Sequence, residues 1–210
     1  MNIFEKLVYC FLSIFLFATV QADCIASNVL KNRLNQINSF YAHFTQKINI
    51  SNSDKIEVAK GELWVRRPNL FHWHIISPEE NFLISDGETL WFYVPSIKQV
   101  TAYYLKNSIF NNLFFEFLFE HDFFEWNNYD ISQKKNWFFL KPVVNNLFDL
   151  KEYRIKISDC GLINQFSIIE KDGQQIDYYL SHQTNVLVNI EKFHFILSDD
   201  IQMDDQRNAL

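Results

Sequence analysis

His72 and His74, one residue apart, are the most chemically suggestive pair in this 210-residue chain. Alternate residues of a strand point to one face, so two imidazoles at this spacing could share a metal ion. Such a site needs a third ligand, and nothing nearby nominates one. The pair therefore reads as two solvent-facing or hydrogen-bonded histidines. Just upstream, in GELWVRRPNLFHWH (residues 61–74), two arginines and Pro68 interrupt an aromatic, strand-like stretch. The acidic pairs Glu79-Glu80 and Asp199-Asp200 sit in turn-like, polar surroundings and read as solvated charge, not as a glycosidase carboxylate pair. Cys24 lies near the N-terminus and Cys160 in a turn, with no histidine argued beside either. The four glycines form no phosphate-cradling loop, and neither a G-x-S-x-G elbow nor an H-E-x-x-H helix is present. The expectation is no catalytic set, no metal and no cofactor.

Composition and address narrow the class further. Lys6 precedes an apolar run from Leu7 to Val20, and Val20-Gln21-Ala22 offers a small-residue exit. This pattern predicts a secretory signal peptide over residues 1–22, cleaved before Asp23, and one domain over residues 23–210. The run is short for a membrane span. A lipid-anchored lipoprotein would carry its cysteine directly after the small residues, whereas Cys24 follows Asp23. The net charge of −6 is unchanged by cleavage, because Glu5 and Lys6 leave together. An acidic chain is a poor match for nucleic acid or for anionic lipid heads. Cys24 and Cys160 would be the only cysteines left, able to pair in an oxidising compartment.

What elements would position these groups? Leu30, Leu34, Ile37, Tyr41 and Phe44 fall at helical spacing, with Ser27 as a candidate N-cap. An amphipathic helix is expected over residues 27–44, giving way to a strand near Phe44. Short aromatic and β-branched segments then recur at 56–65, 70–76, 81–85, 88–94 and 97–104. A second series runs over 136–141, 150–158, 162–170, 174–181 and 186–196. Asp86-Gly87, Cys160-Gly161 and Asp172-Gly173 suit hairpin turns, while Gly61 is placed at a strand start. The pattern predicts an antiparallel sheet that curls or closes. Residues 107–121 break the rhythm: Phe110, Leu113, Phe114, Phe117, Leu118 and Phe119 suggest a very apolar short helix. Such a helix must be buried nearly all round or cover something greasy.

Several stretches, in order, resemble the LolA family of periplasmic outer-membrane lipoprotein carriers. They are Phe44-Thr45-Gln46-Lys47, the run from Gly61 to Trp73, Ser85-Asp86-Gly87 with Thr89-Leu90-Trp91-Phe92-Tyr93, Gln99-Val100-Thr101 and Asp204-Asp205-Gln206-Arg207. The resemblance covers residues 27–207. It implies a mainly β fold with a helical lid: an incomplete, strongly curved antiparallel β-barrel covered by α-helices enclosing an apolar cavity. The cavity would take the acyl chains of lipoproteins. Leu34, Phe44, Phe71, Trp73, Phe92, Phe114 and Phe117 are the candidates to line it. The implied partners are acylated lipoproteins, an inner-membrane lipoprotein-releasing ABC transporter and an outer-membrane receptor lipoprotein. The implied location is the periplasm and the implied state a monomer. Cys24 and Cys160 are outside the matching motifs.

The resemblance also gives Arg67 a role, as a lid latch donating to lid carbonyls in the empty form. In an uninterrupted strand Arg67, Phe71 and Trp73 share one face and Arg66 takes the other, solvated side. Pro68 bears on that parity, since it removes a backbone donor. Other readings stay open at this point: a receptor of the same fold, a carrier of another lipid, a secreted hydrolase of apolar substrates, or a structural envelope protein.

Overall fold

The structure, a computed structural model, describes residues 25–51, 55–108, 126–143 and 149–207. Helix α1 occupies residues 25–34, so Ser27 lies within it instead of capping it. Leu30 and Leu34 are fully buried and Ile37 nearly so. Beyond residue 34 the burial period changes from helical to two. Phe40, Ala42 and Phe44 are buried, and Tyr41 and His43 face the other way. The expected helix to residue 44 is thus corrected: a turn at residues 35–36 ends it, and β1 (Ser39–Asn49) begins. Tyr41 and Phe44 fit a helical spacing only by coincidence, because the strand alternation of aromatic residues starts inside the same window.

Eleven more strands follow: β2 (Ile56–Arg66), β3 (Leu70–Ser77), β4 (Asn81–Asp86), β5 (Thr89–Val94), β6 (Gln99–Tyr104), β7 (Tyr129–Lys134), β8 (Trp137–Pro142), β9 (Leu150–Ile157), β10 (Ile163–Glu170), β11 (Gln175–Thr184) and β12 (Gln202–Asp205). All twelve form one sheet in the order β12-β6-β5-β4-β3-β2-β1-β11-β10-β9-β8-β7. Pairing is antiparallel except for β12, which runs parallel to β6. The sheet is open, with β12 and β7 as its two edges. Gly87, Gly161 and Gly173 take φ of +97°, +79° and +95°, the left-handed turn conformations that glycine adopts without steric cost.

The sheet is strongly curved. Trp73 on β3 and Tyr178 on β11 are separated by two intervening strands, about 14 Å across a flat sheet. Their rings nevertheless meet edge to face at 5.6 Å between centroids. The concave face and α1 enclose the main core, which holds Leu30, Leu34, Phe40, Phe44, Phe71, Phe138 and Phe166.

Residues 186–196, expected as a strand, form an irregular strap with a 3-10 turn at Ile190–Phe193. The strap lies against the outer face of β3 to β5. Phe193 is fully buried there, and Phe195 stacks on Trp91. Val186, Val188 and Ile190 alternate as in a strand, but the strap satisfies its backbone through side chains. Val188 N–H donates to Ser39 Oγ at 3.1 Å, and its carbonyl accepts from Arg66 Nη1 at 3.3 Å.

Residues 105–108 form a short helix, α2 (Leu105–Ser108). The rest of the expected apolar helix, with Phe110, Phe114, Phe117 and Phe119, lies outside the described residues. Cys160 is a free, exposed thiol, and Ser158 Oγ at 3.1 Å from its Sγ lowers its pKa. Its turn packs at the C-terminal end of α1, where Gln36 Nε2 donates to the Asp159 carbonyl. Cys24, the candidate partner of Cys160 in the sequence, lies outside the described residues.

Candidate functional site

The inner face is organised around a missing side chain. Gly61 sits in mid-strand on β2, not at a strand start, directly opposite Phe44 on β1. A Cβ at position 61 would lie 1.9 Å from the His74 carbonyl oxygen and 2.8 Å from the Phe44 ring. Without one, Phe44 folds over β2 and reaches Trp73 on β3, with ring centroids 4.1 Å apart. Trp73 in turn meets Tyr178. From Tyr178 the contacts continue to Phe166 (6.5 Å), Tyr153 (5.7 Å) and Tyr129 (6.1 Å). Six aromatic rings thus form a track from β3 to β7 across the concave floor. The Tyr178 hydroxyl accepts from Gln46 Nε2 at 3.0 Å, and burial pushes its pKa up to about 12. It is a neutral phenol at any physiological pH.

Of the residues singled out in the sequence, Leu34, Phe44, Phe71 and Trp73 share the one buried cluster beneath α1. Register places Phe92 on the same face, since Trp73 pairs with Leu83 and Leu83 with Phe92. Phe92 is 39% exposed, however, and lies outside that cluster, on the less covered β5 side. Phe114 and Phe117 lie outside the described residues. Sequence reasoning missed Tyr129, Tyr153, Phe166 and Tyr178. The last three stand in segments read as strands, but only register aligns them on one face.

Arg67 is not in a strand. β2 ends at Arg66, residues 67–69 turn, and β3 starts at Leu70, so Arg66 pairs with Leu70 and Val65 with Phe71. The parity linking Arg67 to Phe71 across Pro68 is therefore overturned: Pro68 sits in a hairpin turn whose Asn69 has φ of +62°. Arg67 N–H donates to the Asn38 carbonyl at 2.9 Å, and its Nη2 is closed off from solvent. The position of Arg67 is set by the turn, not by strand parity. Arg66 does face outward, but the strap partly covers it.

The two histidines lie on the outer face, with ring centroids 6.5 Å apart. His72 is buried, and its Nδ1 is 2.8 Å from the Lys192 carbonyl of the strap. Burial pushes its pKa down to about 4. His74 bonds Glu80 at 2.9 Å and stacks on Phe82. Both are hydrogen-bonded structural residues, and among the described residues no group of three metal-ligating side chains converges. The Lys192 ammonium sits 3.7 Å from the Trp64 ring centroid, a cation–π contact that ties the same strap down. Further on, Arg207 pairs with Asp205 and lies over Trp91, so the C-terminal acidic-basic run is also a fastening.

The described residues thus place an aromatic track on the inner face of an open, curved sheet. Residues 35–196 match the family model described as outer membrane lipoprotein carrier protein LolA. The chain belongs to the LolA family. It is 45% identical over 183 residues to an outer-membrane lipoprotein carrier protein of Photorhabdus laumondii, covering 87% of this chain and 89% of that one. It is 41% identical to the protein of the same name from Serratia proteamaculans, covering 94% and 96% of the two chains. The fold is also similar to a LolA superfamily protein of Nitrosomonas europaea, at a TM-score of 0.50 and 10% identity. That match covers 81% of this chain and 97% of the other. An uncharacterised conserved protein of Thermus thermophilus matches at a TM-score of 0.56 and 11% identity, covering 86% and 98%. At such identities the likeness is one of fold.

Proposed function

We propose that this LolA-family chain is a periplasmic carrier that holds the acyl chains of outer-membrane lipoproteins over its aromatic floor. One observation carries the reading. Relatives 41–45% identical over about nine-tenths of both chains are named outer-membrane lipoprotein carrier proteins. Residues 1–22 act as the signal peptide, and the mature carrier is a monomer. It receives cargo from an inner-membrane ABC transporter and gives it to an outer-membrane receptor lipoprotein.

The physical task is to match the membrane without exceeding it. Each buried CH₂ contributes about 0.8 kcal/mol, so several acyl chains do not leave a bilayer unaided. An aromatic track several strands wide supplies comparable apolar surface. That surface is covered by the protein itself: Leu30 and Leu34 of α1 are buried in the same cluster. Loading therefore exchanges internal contacts for contacts with the cargo, and net affinity stays moderate. Helical cover that closes again on release limits exposure of the floor. Arg67, at the β2–β3 turn and with its Nη2 closed off from solvent, is the latch that favours the closed form.

The carrier reading is tested by mixing the mature protein with triacylated lipoprotein embedded in vesicles beside the releasing transporter and ATP. A soluble one-to-one complex that transfers to a receptor-bearing membrane is expected; lipoprotein that stays in the vesicles would refute the reading. The latch has its own test. A charged hydrogen bond is worth about 1.5–3 kcal/mol, so Arg67→Leu should load normally yet transfer about ten- to a hundredfold more slowly. Equal transfer rates for variant and wild type would remove Arg67 from the mechanism.

A further inference from the structure

We propose that a cleft at the β7 end of the aromatic track holds the polar linkage of the cargo. This linkage comprises the ester and amide carbonyls through which acyl chains are attached. The inference rests on the carrier reading above and names where, on that surface, the head of the cargo sits.

The cleft has a volume of about 370 Å³ and lies between α1 and the edge of the sheet. Its floor is apolar, formed by Tyr129 and Ile131 on the inner face of β7. Tyr129 is also the last ring of the track, tilted against Tyr153 at 6.1 Å between centroids. A chain lying along the rings from Phe44 to Tyr129 therefore arrives at this cleft, and so does whatever it is bonded to. The walls change character at that point. Ser27 and Lys31 come from α1, and Trp126 and Asn127 from the 3-10 turn that leads into β7. The Lys31 ammonium lies 4.8 Å from the Trp126 ring centroid, half-buried, and no carboxylate pairs with it among the described residues. A cation held by an indole face still has N–H donors to give. The Ser27 hydroxyl and the Asn127 amide add further donors.

Donors above an apolar floor select a ligand that presents acceptors on an apolar body. Carbonyls at the head of acyl chains fit that description. A phosphate fits less well, because one ammonium faces it and the chain carries a net charge of −6. Size points the same way. At about 30 Å³ per water the cleft has the volume of on the order of ten waters, enough for a glyceryl diester but too small for a folded peptide.

The experiment compares three probes on the purified mature protein by competition with an uncharged apolar dye. They are hexadecane, which has a chain but no acceptor, a synthetic triacylated cysteinyl peptide, and diacyl phosphatidylglycerol, all in mixed micelles. Lys31→Ala and Asn127→Ala should each weaken the triacylated peptide by about tenfold while leaving hexadecane unchanged. Lys31→Arg, which keeps the cation and its donors, should bind the peptide within about twofold of wild type. Three results would overturn the proposal: equal losses for hexadecane and peptide, no loss in either alanine variant, or a larger loss for phosphatidylglycerol than for the peptide. A Lys31→Arg variant as weak as Lys31→Ala would also overturn it, since the donors would then not be the cause. Wild-type protein that binds neither hexadecane nor peptide would sink the carrier reading itself, an outcome distinct from all of these.

Discussion

At the residue scale, Gly61 and His72 decide the most. Gly61 is where Phe44 crosses its neighbouring strand, and even one methyl group there collides with backbone at the His74 carbonyl. Backbone cannot rotate away as a side chain can, so Gly61→Ala should cost about 3 kcal/mol, at the upper end for overpacking. Its urea midpoint should fall accordingly, and the near-ultraviolet signal of Trp73 should change with it. An unshifted midpoint would mean that the strands separate freely at this crossing. His72 sets a pH dependence. Its folded pKa of about 4 is below the ordinary value of 6.5, because burial disfavours the imidazolium. The unfolded chain therefore binds this proton more readily. The contribution to stability is fully present above pH 6.5 and is lost as pH falls toward 4. Removing the titration with His72→Gln, which keeps a donor for the Lys192 carbonyl, should flatten the stability profile between those limits. The check is the difference between wild-type and variant urea midpoints at pH 7 and pH 4.5.

At the element scale, the strap is the part with a life of its own. Phe193 is buried against the outer face of the sheet, apart from the core under α1. Truncating it to alanine should cost about 3–5 kcal/mol of local packing. Hydrogen exchange should then show residues 186–201 opening while amides of β1 to β3 stay protected. Uniform loss of protection would show that strap and sheet unfold as one. The strap also shows where sequence reading stops. Hairpins at Gly87, Gly161 and Gly173 were legible because a positive φ is a local property that selects glycine. The strand segments were legible because side-chain alternation is local too. The end of α1 was not, since Phe40 to Phe44 carry helical and strand periods at once and only the β1–β2 pairing separates them. The roles of Gly61 and of the aromatic track were hidden for the same reason: both depend on which residue lies opposite. Arg67 illustrates the converse case. Strand parity carried through Pro68 puts Arg67 beside Phe71, and the turn at residues 67–69 cancels it.

At the scale of the whole molecule, a carrier whose floor binds acyl chains is stabilised by its cargo through mass action. At a free ligand concentration of 100 times Kd, binding adds about 2.7 kcal/mol to unfolding. A thermal scan should therefore rise by several degrees with a triacylated peptide and not with its deacylated form. Equal midpoints for the two would show that the chains are not what the fold recognises. The open sheet carries a second consequence. It has two rims, and a rim of unpaired backbone donors and acceptors is a template on which other chains can polymerise. That hazard is greatest where apolar surface is uncovered. Here one rim is the four-residue β12, ending in Asp204 and Asp205. The other is the six-residue β7, with Asp130 and Lys134 exposed. Short, charged rims of this kind disfavour edge-to-edge pairing between copies.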